Sequence, residues 1–178
     1  GQSIDFGLPV QRVYGDAPVL LTGSASSGLP VSYTVTRGPG QIVAGSLVMV
    51  GVGEIAVRAE QSGSAQYETA PAVERAVTVI KSPQTIQFEL PLTRVYGDAP
   101  VPLVASATSG LGVDIQLVSG PAQIQGGSLV LLAGGEVRVR ATQGGSPLYE
   151  AAPTVERVVN VAFAPQSIQF ALPATRLY

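Results

Sequence analysis

The stretch GEVRVRAT, Gly135 to Thr142, decides how the rest of the chain is read. Val137, Val139 and Ala141 alternate with Arg138, Arg140 and Thr142, and a period of two puts the first set on one side of an extended backbone and the second on the other. The stretch is therefore a β-strand with one dry and one wet face. The same pattern stands earlier in the chain, where Ile55, Val57 and Ala59 alternate with Ala56, Arg58 and Glu60.

That recurrence is no accident of composition. Sliding the sequence until Gln2 falls on Gln84 lays positions 2–83 on 84–165 without a gap, and 46 of the 82 aligned positions are identical. RVYGDAP runs from Arg12 to Pro18 and again from Arg94 to Pro100, while the same step carries Gln84 onto Gln166. A period this long exceeds the roughly 20 to 50 residues of solenoid repeats and approaches the size of a small sandwich domain, so each copy is expected to fold by itself. The expected division is 1–83, 84–165, and a third copy that stops at Tyr178, so that 166–178 is either the first strand of a third repeat or a closing strand of the second. Because this last segment carries Ile168, Phe170 and Leu172, it is expected to bury them against the second module or along a sheet edge of a neighbouring molecule. Lys81-Ser82-Pro83 leaves little freedom between the copies, and two modules in line would measure roughly 70 to 90 Å at about 3.3 Å per strand residue.

Further strands are expected at Ile4 to Phe6, Val19 to Ala25, Val31 to Val35, Gln41 to Val43, Ser46 to Val50 and Val73 to Ile80, separated by turn signals such as SSGLP, RGPG and VGVG. No stretch has a helical period. About seven short strands per copy define an all-β fold, two tandem immunoglobulin-like antiparallel β-sandwiches, although the Cys-Trp-Cys signature of antibody domains is absent. In this frame the heptapeptide is a turn, and Asp16 is expected to accept backbone N–H bonds within it.

Composition removes whole classes of function. Charged residues make up 12% of the chain against about 25% in ordinary soluble domains, and the net charge is -2, so there is no basic footprint for nucleic acid or an anionic membrane. The long uncharged stretch from Ile115 to Gly135 is broken by Gln, Gly and Pro121 and reads as strands and turns rather than a membrane span. With no Cys and no His, disulfides, thiolate nucleophiles, His-based triads and His-ligated zinc all drop out.

From Gln84 onward the ordered signals QTIQF, LP, YGDAP, ATSGL, SGPAQI, GGSLVLL, GGEVRVRATQGG, LYEAAP and VERVVNV resemble the immunoglobulin-like repeats of bacterial surface proteins, and two copies cover residues 2–165. The resemblance implies tandem modules of a large secreted or surface-anchored protein, extracellular, serving as a stalk or adhesin-like arm. It implies no catalytic residues and no cofactor. Gly112 departs from the pattern set by Pro30 in the first copy.

The residues themselves offer little chemistry. Asp16, Glu54, Glu68 and Glu74 recur as Asp98, Glu136, Glu150 and Glu156, and two such carboxylates could flank a glycosidic bond, but their recurrence in both copies fits turn and edge roles better. A calcium site would have to draw on Asp16, Glu68, Asp98 or Glu150, since the junctions themselves carry no acid. Lys81 is the sole Lys and Asn160 the sole Asn, which excludes a Lys–Asn crosslink in the second module. Tyr67 and Tyr149, in AQYETAP and PLYEAAP, are expected to bury their rings and bond backbone with their hydroxyls. Arg75 and Arg157 are expected to pair with acids at the sandwich edge. The reading is a structural spacer with neighbouring repeats as its partners and self-association through edge strands as a further option; a glycan- or protein-binding module and a self-assembling fibre subunit are the rivals.

Overall fold

The computed structural model of the chain describes residues 1–171, and no helix occurs among them. The chain divides into two compact units. Unit 1 comprises Gly1–Gln84 together with the loop Gly144–Ala152, and unit 2 comprises Thr85–Gln143 and the chain from Pro153 onward.

Unit 1 contains β1 (Ile4–Phe6), β2 (Gln11–Val13), β3 (Val19–Leu20), β4 (Gly23–Ala25), β5 (Ser32–Arg37), β6 (Gly40–Val43), β7 (Ser46–Met49), β8 (Gly53–Glu60) and β9 (Val73–Ile80). Its main sheet has the order β2-β9-β8-β5, flanked by β3-β7-β6 and by the pair β1-β4. All neighbours are antiparallel except β2 and β9, which run parallel with Gln11 opposite Thr78 and Val13 opposite Ile80. Unit 2 repeats this plan in β10 (Ile86–Phe88), β11 (Thr93–Val95), β12 (Val101–Pro102), β13 (Ala105–Ala107), β14 (Asp114–Ser119), β15 (Ala122–Gln125), β16 (Ser128–Leu131), β17 (Gly135–Thr142) and β18 (Val155–Ala162), with the sheet order β11-β18-β17-β14 and a parallel pair β11/β18. Each unit is an all-β immunoglobulin-like sandwich.

The alternation read in the sequence sets the core. Ile55, Val57, Ala59, Val77 and Val79 of β8 and β9 are buried, as are Leu47 of β7 and Phe6 of β1, so the inward stripes of three sheets meet in one cluster. Each fully buried Val, Leu or Ile is worth about 1.5–3 kcal/mol over leaving it in water. In unit 2 the same places are taken by Val137, Val139, Ala141, Val159, Leu129 and Phe88.

The strand count differs from the expected seven: nine strands per copy are present among the described residues. The expected strand Val19 to Ala25 is interrupted at Leu21 and Thr22, so β3 pairs with β7 while β4 pairs with β1, two different sheets. Gln11–Val13 escapes sequence reasoning because it pairs along one edge only and shows no buried stripe. Ala56, placed on the wet face by parity, is buried, because its single methyl lies between the cross-strand residues Arg37 and Ala76.

Of the two arrangements expected for the third copy, packing against the second module is not met. Its described part, Gln166–Ala171, forms no strand, and Ile168 and Phe170 are 93% and 81% exposed, so neither packs against the second module. Leu172 lies outside the described residues. In both full copies the first strand pairs within its own copy, Ile4 with Ala25 and Ile86 with Ala107. The first strand of a copy depends on its own module's fourth strand, not on the module before it.

Val139 is fully buried in β17, whereas Arg138 beside it is partly exposed. Val139→Asp is expected to unfold unit 2, since an unpaired buried carboxylate costs several kcal/mol against a total of roughly 5–15 kcal/mol. Arg138→Asp is expected to leave its melting temperature within a few degrees of wild type. Equal melting temperatures for the two variants would contradict this assignment of faces.

Candidate functional site

The recurrent heptapeptide folds as a turn that its own aspartate closes. Val13 donates its amide to the Asp16 carboxylate (3.0 Å), Asp16 donates its own to the Val13 carbonyl (3.0 Å), and Arg12 Nη1 stands 3.9 Å from the same carboxylate. Gly15 takes φ +92° between them, a left-handed conformation that a side chain would disfavour. In the second copy Val95 bonds Asp98 at 2.9 Å, Asp98 bonds Val95 at 3.0 Å, and Arg94 lies 4.0 Å away. The turn then fixes the tyrosine: Tyr14 N–H donates to the Ile80 carbonyl and Tyr96 N–H to the Ala162 carbonyl, both at 2.9 Å. Each YGD tyrosine is thus held at the end of its copy's last strand, where the chain leaves the copy.

The second recurrent tyrosine sits on a tight loop. Ser146 Oγ accepts the amides of Leu148 and Tyr149 (3.1 Å each), and Ser146 N–H donates to the Tyr149 carbonyl (3.0 Å). Gly145, at φ +82°, lies so close to Tyr149, Glu150 and Ala151 that a Cβ would come within 2.8 Å of their backbone atoms. Ser64 and Gly63 do the same for Tyr67. A buried glutamine locks each loop to the start of its copy: Gln84 Nε2 donates to the Glu150 carbonyl at 2.6 Å, and Gln2 Nε2 donates to the Glu68 carbonyl and to Gln61 Oε1, both at 2.5 Å.

Within unit 1 the two elements meet. The rings of Tyr14 and Tyr149 stand edge to face, centroids 5.9 Å apart and planes at 86°, a favourable aromatic geometry. Beside them Ser82 N–H donates to the Leu148 carbonyl and Glu150 N–H donates to the Ser82 carbonyl, each 2.9 Å, making a parallel bridge between Ser82 and Tyr149. A loop that belongs to the second copy by sequence is thereby built into unit 1. Sequence reasoning did not find this contact, although the signal was present: both tyrosines recur at fixed places in both copies.

The acids proposed from the sequence go elsewhere. Asp16 and Asp98 are engaged in their turns. Glu68 has its side chain 86% exposed, 3.9 Å from the Gly1 ammonium, and Glu150 is exposed; both serve the structure through their backbones. Among the described residues no three metal-ligating side chains gather. Glu54 bonds Arg37, Glu136 bonds Arg138 (3.0 Å) and Glu156 bonds Arg140 (2.8 Å), while Glu74 accepts from Thr36 Oγ1 (3.0 Å). An open hollow of about 340 Å³ in unit 1 is bordered by Arg58 and Glu60, and these pair with each other at 2.9 Å. The expected burial of Tyr67 is not met: the residue is 47% exposed, whereas Tyr149 is half-buried with its ring against Tyr14.

Arg157 pairs with Glu89 at 2.8 Å and 3.2 Å, as expected of an edge arginine. In the first copy Gly7 takes the sequence place of Glu89, and Arg75, the equivalent of Arg157, donates to the Glu74 carbonyl (3.0 Å) as Arg157 does to that of Glu156 (3.1 Å). The hydrogen bond from Arg157 and its positive charge hold the Glu89 carboxyl below the usual carboxylate range. A carboxyl lowered in the folded state contributes stability that is fully present above its unfolded pKa and fades as pH falls through the lowered value. Glu89→Gln is therefore expected to lower the melting temperature of unit 2 slightly at neutral pH and low salt, with the difference from wild type vanishing in strong acid. A difference that persists unchanged in acid would contradict the pairing.

No protein-family model and no curated protein sequence matches the chain. Among solved structures, it is similar to Drosophila N-cadherin EC1-4 at 13% identity and TM-score 0.32, over 92% of this chain and 51% of that one, so it spans about half the length of that cadherin. The immunoglobulin domains 1–5 of Sidekick-1 match at 12% identity and TM-score 0.35, over 91% of this chain and 39% of that one. The D00-D0 domain of intimin matches at 14% identity and TM-score 0.31, over 87% and 98%. The fold rests on the strand pairings above. No helix among the described residues is long and apolar enough to cross a membrane.

Proposed function

We propose that the chain is a load-bearing spacer: tandem immunoglobulin-like modules of a bacterial secreted or surface-anchored protein, holding another part of that protein away from the cell in the manner of an adhesin stalk. The observation that carries the reading is the loop Gly144–Ala152, a piece of the second copy packed into unit 1 through Tyr14 and Ser82. Tension along the chain is then borne by side-chain and backbone contacts as well as by the short linker Lys81-Ser82-Pro83. The parallel pairs β2/β9 and β11/β18 support the same role, because pulling the ends of a module apart loads parallel edge strands in shear, so that their hydrogen bonds resist together rather than one at a time. The resemblance of the motif string to bacterial surface repeats supports the extracellular setting.

Force spectroscopy tests this reading. Pulled from its two ends, the chain is expected to give two discrete unfolding events, each releasing on the order of 25 nm of contour as one repeat extends at about 3.5 Å per residue. Gradual extension with no force peaks would contradict a load-bearing role.

A further inference from the structure

We propose that the polar hollow of unit 1 is a binding site for a neutral saccharide, a feature of the first repeat that the second does not share. The hollow holds about 340 Å³, at the small end of the roughly 300–1,000 Å³ of ligand pockets. Ser32, Arg58, Glu60, Gln61, Ser62 and Thr69 line it, and its apolar lining residues are both alanines. Gln61 is the key to it. The residue is 7% exposed, and its side-chain carbonyl is used twice, accepting from the Gly63 amide (2.7 Å) and from Gln2 Nε2. The Gly63 amide can only donate, which fixes the end of the Gln61 side chain that is oxygen. The other end, Nε2, has no hydrogen-bond partner among the described residues, yet it is not sealed from solvent. It offers two N–H donors to whatever enters the hollow that Gln61 borders.

The neighbouring groups complete a set suited to hydroxyls. Arg58 and Glu60 pair at 2.9 Å, so their charges cancel, while each keeps further donor or acceptor positions. Thr69 Oγ1 donates to the Ser62 carbonyl (3.1 Å) and Ser32 Oγ to the Glu60 carbonyl (3.2 Å), which commits their protons and leaves their lone pairs as acceptors. Donors and acceptors therefore line the same hollow. A sugar hydroxyl both donates and accepts, so adjacent hydroxyls of one ring can use both kinds together. An anion would find the guanidinium already answered by Glu60, and an apolar ligand would find only alanine. The second copy has Thr142, Gly144 and Ala151 where the first has Glu60, Ser62 and Thr69, and its Arg140 pairs with Glu156 at 2.8 Å. Gly144, Ala151 and Thr154 are exposed although a full copy precedes them, so a copy placed before the first would leave the equivalent positions Ser62, Thr69 and Ala72 open.

The site adds recognition to the spacer reading and does not depend on it. With one sugar ring and no aromatic residue lining the hollow, binding is expected at a Kd on the order of 1–10 mM. The full chain is titrated to roughly 50 mM, several times that Kd, and followed by amide NMR. The probes are the methyl glycosides of glucose, galactose, mannose and N-acetylglucosamine, with N-acetyl-trialanine amide as the peptide comparison. At least one glycoside is expected to give saturable shifts of the Gln61 side-chain N–H2 and of the Ser62 and Thr69 amides, and the peptide none. Gln61→Glu keeps oxygens for Gly63 and Gln2 but removes both donors, and is expected to weaken binding roughly tenfold or more. Glu60→Thr with Thr69→Ala installs what the second copy already carries at these places, so it is expected to abolish binding while unit 1 keeps its melting temperature. Should Gln61→Glu loosen unit 1, this double variant decides alone. No saturable shift with any glycoside, shifts indifferent to the variants, or a peptide response as strong as any glycoside's would each overturn the proposal.

Discussion

The parallel pairing of the heptapeptide's leading strand with the last strand of its own copy is the constraint on which the rest depends. Gln11–Val13 in register with Thr78–Ile80 joins residues near the beginning of a copy to residues at its end, so a module closes on its own sheet. It also places Tyr14 at the point where the chain exits. The aspartate that might have been chemistry is used to hold that corner: its carboxylate caps the Val13 amide and leaves the tyrosine ring turned toward what comes next. In unit 1 this corner meets the tyrosine loop Gly144–Ala152.

That division of labour accounts for several otherwise unrelated residues. Gln2 and Gln84 are among the few buried polar side chains, and both tie the start of a copy to the carbonyl of the residue after the loop tyrosine. Burying an amide is tolerable only when its hydrogen bonds are satisfied, and here the carbonyls of the tyrosine loops accept from both. Gly63 and Gly145 admit no side chain for the same reason: the loop folds back on itself too closely. In unit 1 the Tyr14 turn, the linker, Gln84 and the Tyr149 loop form one device.

Much of this was legible in the amino-acid sequence. The period that lays Gln2 on Gln84 and the alternation at Val137, Val139 and Ala141 lead directly to the sandwich and its buried stripe, because burial of one face is what a period of two means. Asp16 as a turn residue was legible too, from its Gly and Pro neighbours. What could not be read were features set by partners far along the chain. Gln11–Val13 has no alternating burial because only an edge pairing makes it a strand. Ile168 carries the apolar pattern of a packed strand, yet it is exposed. Arg75 and Arg157 look alike until Glu89 is found paired with Arg157, in a place where the first copy has Gly7. The tyrosine contact needed Tyr14 and Tyr149, from different copies and different motifs, to be seen together.

Native-state hydrogen exchange at Tyr14 and Tyr96 tests the central claim most directly. If the parallel clamp closes each module, these amides, bonded to Ile80 and Ala162, open only when the whole sheet does. They are expected to exchange as slowly as the amides of Val57 and Val139 in the core strands, and Thr78 and Asn160, bonded to Val10 and Leu92, are expected to share that protection. Exchange of the two tyrosine amides at the rate of the exposed loop around Gln66 would show that the heptapeptide frays independently of the sheet, and would contradict the account.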